Sequence, residues 1–192
     1  MKEIDGVEVI AFADAAAFES WLEDNCHRQG GVWLKMAKKG SGVTSLTSDE
    51  AVDVGLCWGW ISGQRRSLER SYYLQKYVPR RPGSAWSQVN VEKVGALSAA
   101  GRMRPSGLAE VAAARADGRW DAAYVSQRNA TAPPDLVGAL ARDKAARSFF
   151  AGLNKTDQYT VILRLAKERT AAARAARLKK MVATMAAGKK VR

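Results

Sequence analysis

Apolar and polar positions alternate over Val7-Glu8-Val9-Ile10-Ala11-Phe12, which predicts a short strand. Asp14 caps the next segment, where Phe18, Trp21 and Leu22 share one face of a helix running to about Arg28 and stopped by Gly30-Gly31. Val32, Leu34 and Met36 then alternate with Trp33, Lys35 and Ala37 as a second strand, and Lys38-Lys39-Gly40-Ser41-Gly42 reads as a turn. Thr47 with Glu50 three residues on forms a capping box, and Asp49 adds a favourable charge to the same first turn. Ala51, Val54, Cys57, Trp58 and Ile61 carry the spacing of a buried helical stripe, which Gly59 ends. Residues 61–68 and 72–78 alternate again and predict a hairpin, closed off by Pro79 and Pro82.

Beyond this point alanine replaces glycine. A helix is expected from Trp86 to about Ala100, another from Pro105 to about Asp117, and residues 118–132 read as irregular. Pro133-Pro134 opens a further helical stretch with Leu136, Leu140, Phe149 and Phe150 at roughly helical spacing. A single last helix is expected over residues 157–187, with Tyr159, Ile162, Leu163, Ala166, Leu178, Met181, Val182 and Met185 as its apolar stripe. The pattern predicts an α+β fold. A small, mostly antiparallel sheet with two helices occupies residues 1–90, and a helical region follows over 91–192, packed on the sheet or forming a small helical domain.

Composition narrows the class. An apolar content of 47% suits a globular core, and no apolar run reaches the roughly 18 residues of a membrane span. The acids in Met1-Lys2-Glu3-Ile4-Asp5 stand where a signal peptide is apolar, so a soluble cytoplasmic protein is expected, with Cys26 and Cys57 as free thiols. The net charge of +12 is uneven: residues 1–60 carry 5 Lys/Arg against 10 Asp/Glu, and residues 61–192 carry 26 against 9. Such a dipole favours anionic partners: an anionic ligand, an acidic protein surface or nucleic acid. Residues 155–192, with 11 Lys/Arg against 2 Asp/Glu beside an apolar stripe, fit a docked helix with a basic outer face, or a surface for nucleic acid or an anionic membrane. No oligomeric state is legible.

Candidate chemistry centres on arginine. His27 is the only histidine and there is no Cys-x-x-Cys, so neither a metal site nor a His-dependent nucleophile is supported, and no cofactor is expected. Arg65 and Arg66 lie on one hairpin strand and Arg80 and Arg81 just beyond the other. The antiparallel pairing is expected to bring the two pairs toward one end of the hairpin, although neighbours on a strand face opposite ways and at most one arginine of each pair serves one site. Guanidinium forks suit phosphate or carboxylate, and Trp58, Trp60 and Trp86 offer stacking or cation–π faces. Ser84 and Asn90, with Ser87 between them, flank a helix start whose amides suit an anion, and Lys38 and Lys39 before Gly40-Ser41-Gly42 form a second anion cradle. The candidate anion-binding set is therefore Arg65, Arg66, Arg80, Arg81, Ser84, Trp86, Asn90, Lys38 and Lys39, with no catalytic residue assigned.

Several blocks are more specific than composition. They are Gly31-Val32-Trp33-Leu34 with Lys38-Lys39-Gly40-Ser41-Gly42, Glu50-Ala51-Val52-Asp53, Leu56-Cys57-Trp58-Gly59-Trp60-Ile61, Pro79-Arg80-Arg81-Pro82-Gly83-Ser84-Ala85-Trp86-Ser87-Gln88-Val89-Asn90, Gly101-Arg102-Met103-Arg104-Pro105-Ser106-Gly107-Leu108 and Asp117-Gly118-Arg119-Trp120-Asp121-Ala122-Ala123-Tyr124. In this order, from about Trp21 to Gly188, the chain resembles the bacterial YdeI/OmpD-associated (OmdA, bacteriocin-protection) family. The resemblance implies resistance to antimicrobial peptides or association with an outer-membrane porin, with no assigned reaction, and a stress- or antimicrobial-resistance role is expected. Ser62 stands where the family usually has an acid, and Asp157-Gln158-Tyr159 and Lys167-Glu168-Arg169-Thr170 depart from its usual C-terminal helix. The expected function is non-catalytic binding through the Arg/Trp surface. A nucleic-acid-binding accessory protein and an enzyme on a small anionic substrate are the alternatives.

Overall fold

The computed structural model describes residues 3–127, 129–168 and 170–191. The chain divides into two compact units, Met1–Ala123 and Tyr124–Arg192. The helices after the hairpin, through residue 116, thus belong to the sheet-bearing unit.

Unit 1 begins with β1 (Glu3–Ile4) and β2 (Val7–Ile10), joined by Asp5-Gly6 with φ of 52° and 71°, the backbone of a two-residue hairpin turn. Next come α1 (Ala15–Asn25), β3 (Val32–Ala37), α2 (Ser48–Cys57), β4 (Trp60–Ser67) and β5 (Tyr72–Pro79). The sheet order is β1-β2-β3-β5-β4, antiparallel throughout except for the β2–β3 pair, as the alternation predicts.

One face of the sheet packs against α1 and α2. Val32, Leu34, Met36, Trp60, Tyr73 and Tyr77 point that way and join Phe18, Leu22, Ala51 and Val54 in one core. The Trp60 ring N–H donates to the Cys26 carbonyl at the end of α1 (3.1 Å), so a buried indole also satisfies a helix terminus. Gly31 lies so close to β5 that a Cβ there would collide with the Tyr77 carbonyl, and its φ of +74° suits glycine alone. On the opposite face Trp33 and Leu74 are each 1% exposed, and the Arg66 and Lys76 cations lie over the Trp33 ring.

The α2 helix is buried on two sides. Ala51 and Val54 face the sheet, whereas Leu56 and Cys57 join Trp86, Val94, Leu97, Val111 and Ala114 in a second core built with α3 (Gln88–Ala99) and α4 (Pro105–Ala116). The close approach of α4 is set by Gly107, where a Cβ would run into the Cys57 carbonyl. The Thr47–Glu50 capping box is present, and Gly59 ends α2 with φ of +76°. Both cysteines are free thiols; Cys57 is buried, and that burial pushes its thiol above the ordinary range.

Unit 2 is helical: α5 (Pro134–Arg142), α6 (Lys144–Gly152), α7 (Lys155–Ala166) and α8 (Ala171–Ala186). The single helix expected over 157–187 is two. Lys167 caps α7 and Thr170 caps α8, its hydroxyl accepting from the Ala173 amide (3.1 Å). The physical reason is burial: the break lets Val161 and Leu165 pack with Met181 and Met185 in one core with Leu136, Leu140 and Ala146. The buried α7 positions are thus Val161 and Leu165, with Ile162 partly buried, rather than the stripe through Tyr159 and Leu163. Among the described residues no helix is long and apolar enough to cross a membrane.

Candidate functional site

Chain geometry sorts the candidate anion-binding residues into three places. The first is a groove of about 800 Å³ on the helix-bearing side of the sheet, lined by Lys38, Lys39, the Gly40–Gly42 turn, Arg65, Tyr73 and one carboxylate, Asp49, which pairs with Lys93 (3.4 Å). Lys38 holds the turn: its amide donates to the Ser71 carbonyl (2.8 Å) and its ammonium to the Glu69 carbonyl (2.7 Å). Ser45 accepts from the Ala37 amide (3.0 Å) and ties the loop back to the strand end.

Arg65 enters this groove because of a β-bulge. Ser62 pairs with Tyr77 and Arg65 with Gln75, so three steps on β4 match two on β5. The extra residue turns Arg65 to the same face as Ser62, Tyr73 and Tyr77, and Arg66 to the other. The Gln75 amide N–H₂ donates to the two bulge carbonyls, Gly63 (3.0 Å) and Gln64 (3.1 Å), which the ladder leaves unpaired. The Arg65 guanidinium stacks 3.8 Å above the Tyr73 ring and, like Lys39, makes no ion pair among the described residues. A guanidinium stacked this way keeps its in-plane donors directed edgewise.

At the far wall the amide end of α2 is closed by its own cap. The Thr47 hydroxyl donates to Glu50 (2.7 Å) and accepts the Glu50 amide (3.3 Å), while the Thr47 amide donates to the same carboxylate (2.9 Å). These bonds hold the Glu50 carboxyl below its ordinary value. Positive charge in the groove therefore comes from side chains and not from the helix end.

The second place is the opposite face of the sheet. Arg66 reaches Asp5 (2.9 Å) across the Trp33 ring and so links the β4 edge to the turn at the β1–β2 edge.

The third place is a buried knot at the far end of the hairpin. Arg80 is 5% exposed, lies 3.6 Å over the Trp86 ring and donates to the Ala85 carbonyl (3.3 Å). Trp86 contacts Trp120 (4.9 Å between centroids), and Arg115 lies over Trp120 (5.1 Å). Arg119, 7% exposed, pairs with Asp117 (2.6 Å) and donates to the Ser84 carbonyl (2.8 Å). The result is a stack of cation, ring, ring and cation that pins the 79–87 loop to the end of α4. Ser84 accepts from the Arg81 amide (3.0 Å), and Ser87 caps α3 by accepting the Asn90 amide (3.2 Å). Arg81 is exposed at its edge.

The expected convergence of Arg65 and Arg66 with Arg80 and Arg81 is therefore not found. Arg65 pairs with Gln75, five residues before Arg80, or roughly 17 Å at about 3.4 Å per residue. The pairs sit at opposite ends of the hairpin because the turn lies next to Arg66 and far from Arg80. Lys38, Lys39 and Arg65 come together, and the remaining candidates do not join them. Tyr73, the platform for Arg65, was hidden in an ordinary alternating strand, and Arg119 in a segment that reads as irregular. No cluster of three or more His, Cys, Asp or Glu side chains suited to a metal occurs among the described residues.

Charge follows the units. Residues 124–192 carry 15 Lys/Arg against 4 Asp/Glu, a net +11 of the chain's +12.

Comparison with known proteins divides the chain at nearly the same point. Residues 10–110 match the model of a family described as Domain of unknown function (DUF8412), and residues 129–188 match the model described as Bacteriocin-protection, YdeI or OmpD-Associated. No curated protein and no solved structure matches. The blocks from Gly31 to Tyr124 that carry the resemblance fall mainly in the first match, and the family they resemble is matched in the second. The chain belongs to the family of the domain of unknown function through residues 10–110, more than half its length, and carries the bacteriocin-protection, YdeI- or OmpD-associated domain in unit 2.

Proposed function

We propose that the protein acts by binding and not by catalysis, in the cytoplasm, in resistance to antimicrobial peptides or related stress. Its anion-accepting surface is the groove around Lys38, Lys39 and Arg65. The observation that carries this reading is the Arg65 guanidinium stacked on Tyr73 beside two lysines in an open groove of about 800 Å³. A flat, preoriented fork and two ammonium groups are the donor set that a phosphate or carboxylate needs. The test is thermal unfolding of the full chain with inorganic pyrophosphate or citrate, against chloride at equal ionic strength. A rise in Tm that Arg65→Ala abolishes and Lys39→Ala reduces is expected. A rise unchanged in both variants overturns the reading.

A second reading, a nucleic-acid-binding accessory protein, is favoured by the +11 of unit 2. Its signature is duplex binding that weakens steeply with salt, with a slope of about −0.9 per phosphate contacted. The same charge repels cationic peptides, so protection by direct capture of one is not expected of unit 2.

A further inference from the structure

Unit 2 carries a feature that neither phosphate recognition nor its net charge explains: an open groove of about 430 Å³ between α5 and α8. Its floor is apolar and mostly small, formed by Ala139 of α5 and by Ala175, Leu178, Val182 and Ala183 of α8. Two cations, Arg142 and Lys179, stand on its rim, both exposed and without an ion pair among the described residues. Asp143, the remaining charged lining group, is engaged as the N-cap of α6, accepting from the Ala146 amide (2.9 Å).

We propose that this groove receives an amphipathic helix with acidic flanks from a partner protein. Alanine walls let a helix approach to about 8–10 Å between axes, the distance at which ridges enter grooves. Leu178 and Val182, one turn apart on α8, meet an apolar ridge, while Arg142 and Lys179 meet carboxylates beside it. The chemistry selects against the other occupants. A phosphate backbone gains nothing from a floor of alanine, leucine and valine. A second copy docked through its own unit 2 would set +11 against +11.

The probe is a labelled helical peptide of about 18 residues, five turns, with leucine at helical spacing and glutamate elsewhere. Its lysine-for-glutamate twin and a duplex DNA of about 20 base pairs serve as comparisons, all titrated with the full chain by fluorescence anisotropy at about 0.15 M salt. The acidic peptide is expected to saturate and the lysine twin not to bind. Ala183→Glu, in the groove, is expected to weaken the acidic peptide at least about tenfold, or about 1.4 kcal/mol. Ala151→Glu, the same charge change on the exposed side of α6, is expected to leave affinity within about twofold, with far-UV circular dichroism confirming that both variants fold. Equal effects of the two variants, no saturable binding of the acidic peptide, or tighter binding of DNA with the same sensitivity to Ala183→Glu overturns the proposal.

Discussion

Arg174 grips Asp135 with both arms of its guanidinium, Nε at 2.7 Å and Nη2 at 3.0 Å, and sets Nη1 2.8 Å from the Leu165 carbonyl. One side chain of α8 thereby binds the first turn of α5 and a last-turn carbonyl of α7. Between α7 and α8 the Leu165 carbonyl thus accepts from Arg174 as well as from the Glu168 amide (3.3 Å). Arg174→Ala is expected to lower unit 2 stability by about 1–2 kcal/mol, since the pair is only partly buried, and Arg174→Lys to recover less than half of it for lack of the fork. Urea unfolding followed by far-UV circular dichroism checks this.

The same pair predicts a pH dependence. The hydrogen bond from Arg174 holds the Asp135 carboxyl below its ordinary value. A carboxyl that binds its proton less readily folded than unfolded stabilises above its unfolded value, about pH 4, and that contribution is lost as pH falls through the folded value. Asp135→Asn is expected to be less stable than the parent at pH 7 and to converge with it in acid. Parallel stability curves from pH 7 to pH 2 would show the linkage to be absent.

Two glycines test packing against propensity. Gly107 lies inside α4, where alanine is the better helix former by about 1 kcal/mol, yet a Cβ there would meet the Cys57 and Leu56 carbonyls. Gly107→Ala is expected to destabilise by about 1–3 kcal/mol, because backbone does not yield as a side chain does. Gly95, inside α3, has nothing within 4 Å of such a Cβ, and Gly95→Ala is expected to stabilise by about 0.5–1 kcal/mol. Opposite signs in thermal unfolding are the expected outcome.

The Arg80–Trp86 stack is expected to behave as structure. Trp86 is 1% exposed, and Trp86→Ala is expected to cost about 3–5 kcal/mol. Arg80→Met, which keeps volume over the ring, is expected to cost less. All six tryptophans lie at or before Trp120, so indole fluorescence of the remaining five during urea unfolding reads unit 1 alone.

Gln75 holds the bulge that carries Arg65. Gln75→Val removes the donors to the Gly63 and Gln64 carbonyls and is expected to lower stability by about 1–2 kcal/mol. It is also expected to weaken the pyrophosphate response, because the bulge holds Arg65 over Tyr73. A lowered Tm with an undiminished response would show that the bulge sets stability only.

Features encoded within a few residues were legible in the sequence. The Thr47–Glu50 box, the Gly59 stop, the 61–78 hairpin and the α+β order all follow from neighbours along the chain, and local sterics and hydrogen bonding decide them. Of the candidate residues, Lys38, Lys39 and Arg65 are grouped by the fold, whereas Arg80 is taken into the Trp86 stack. What only the tertiary structure decided is which face a side chain reaches. Strict alternation from Ser62 puts Arg65 on the wrong side of the sheet. The one-residue bulge reverses it, and Gln75 on the neighbouring strand satisfies the bulge carbonyls. Likewise, helix propensity carries through 167–170, and the chain breaks there because burying Val161 and Leu165 against Met181 and Met185 outweighs continuing one helix. In both cases the deciding partner is distant in sequence, and period alone holds no record of it.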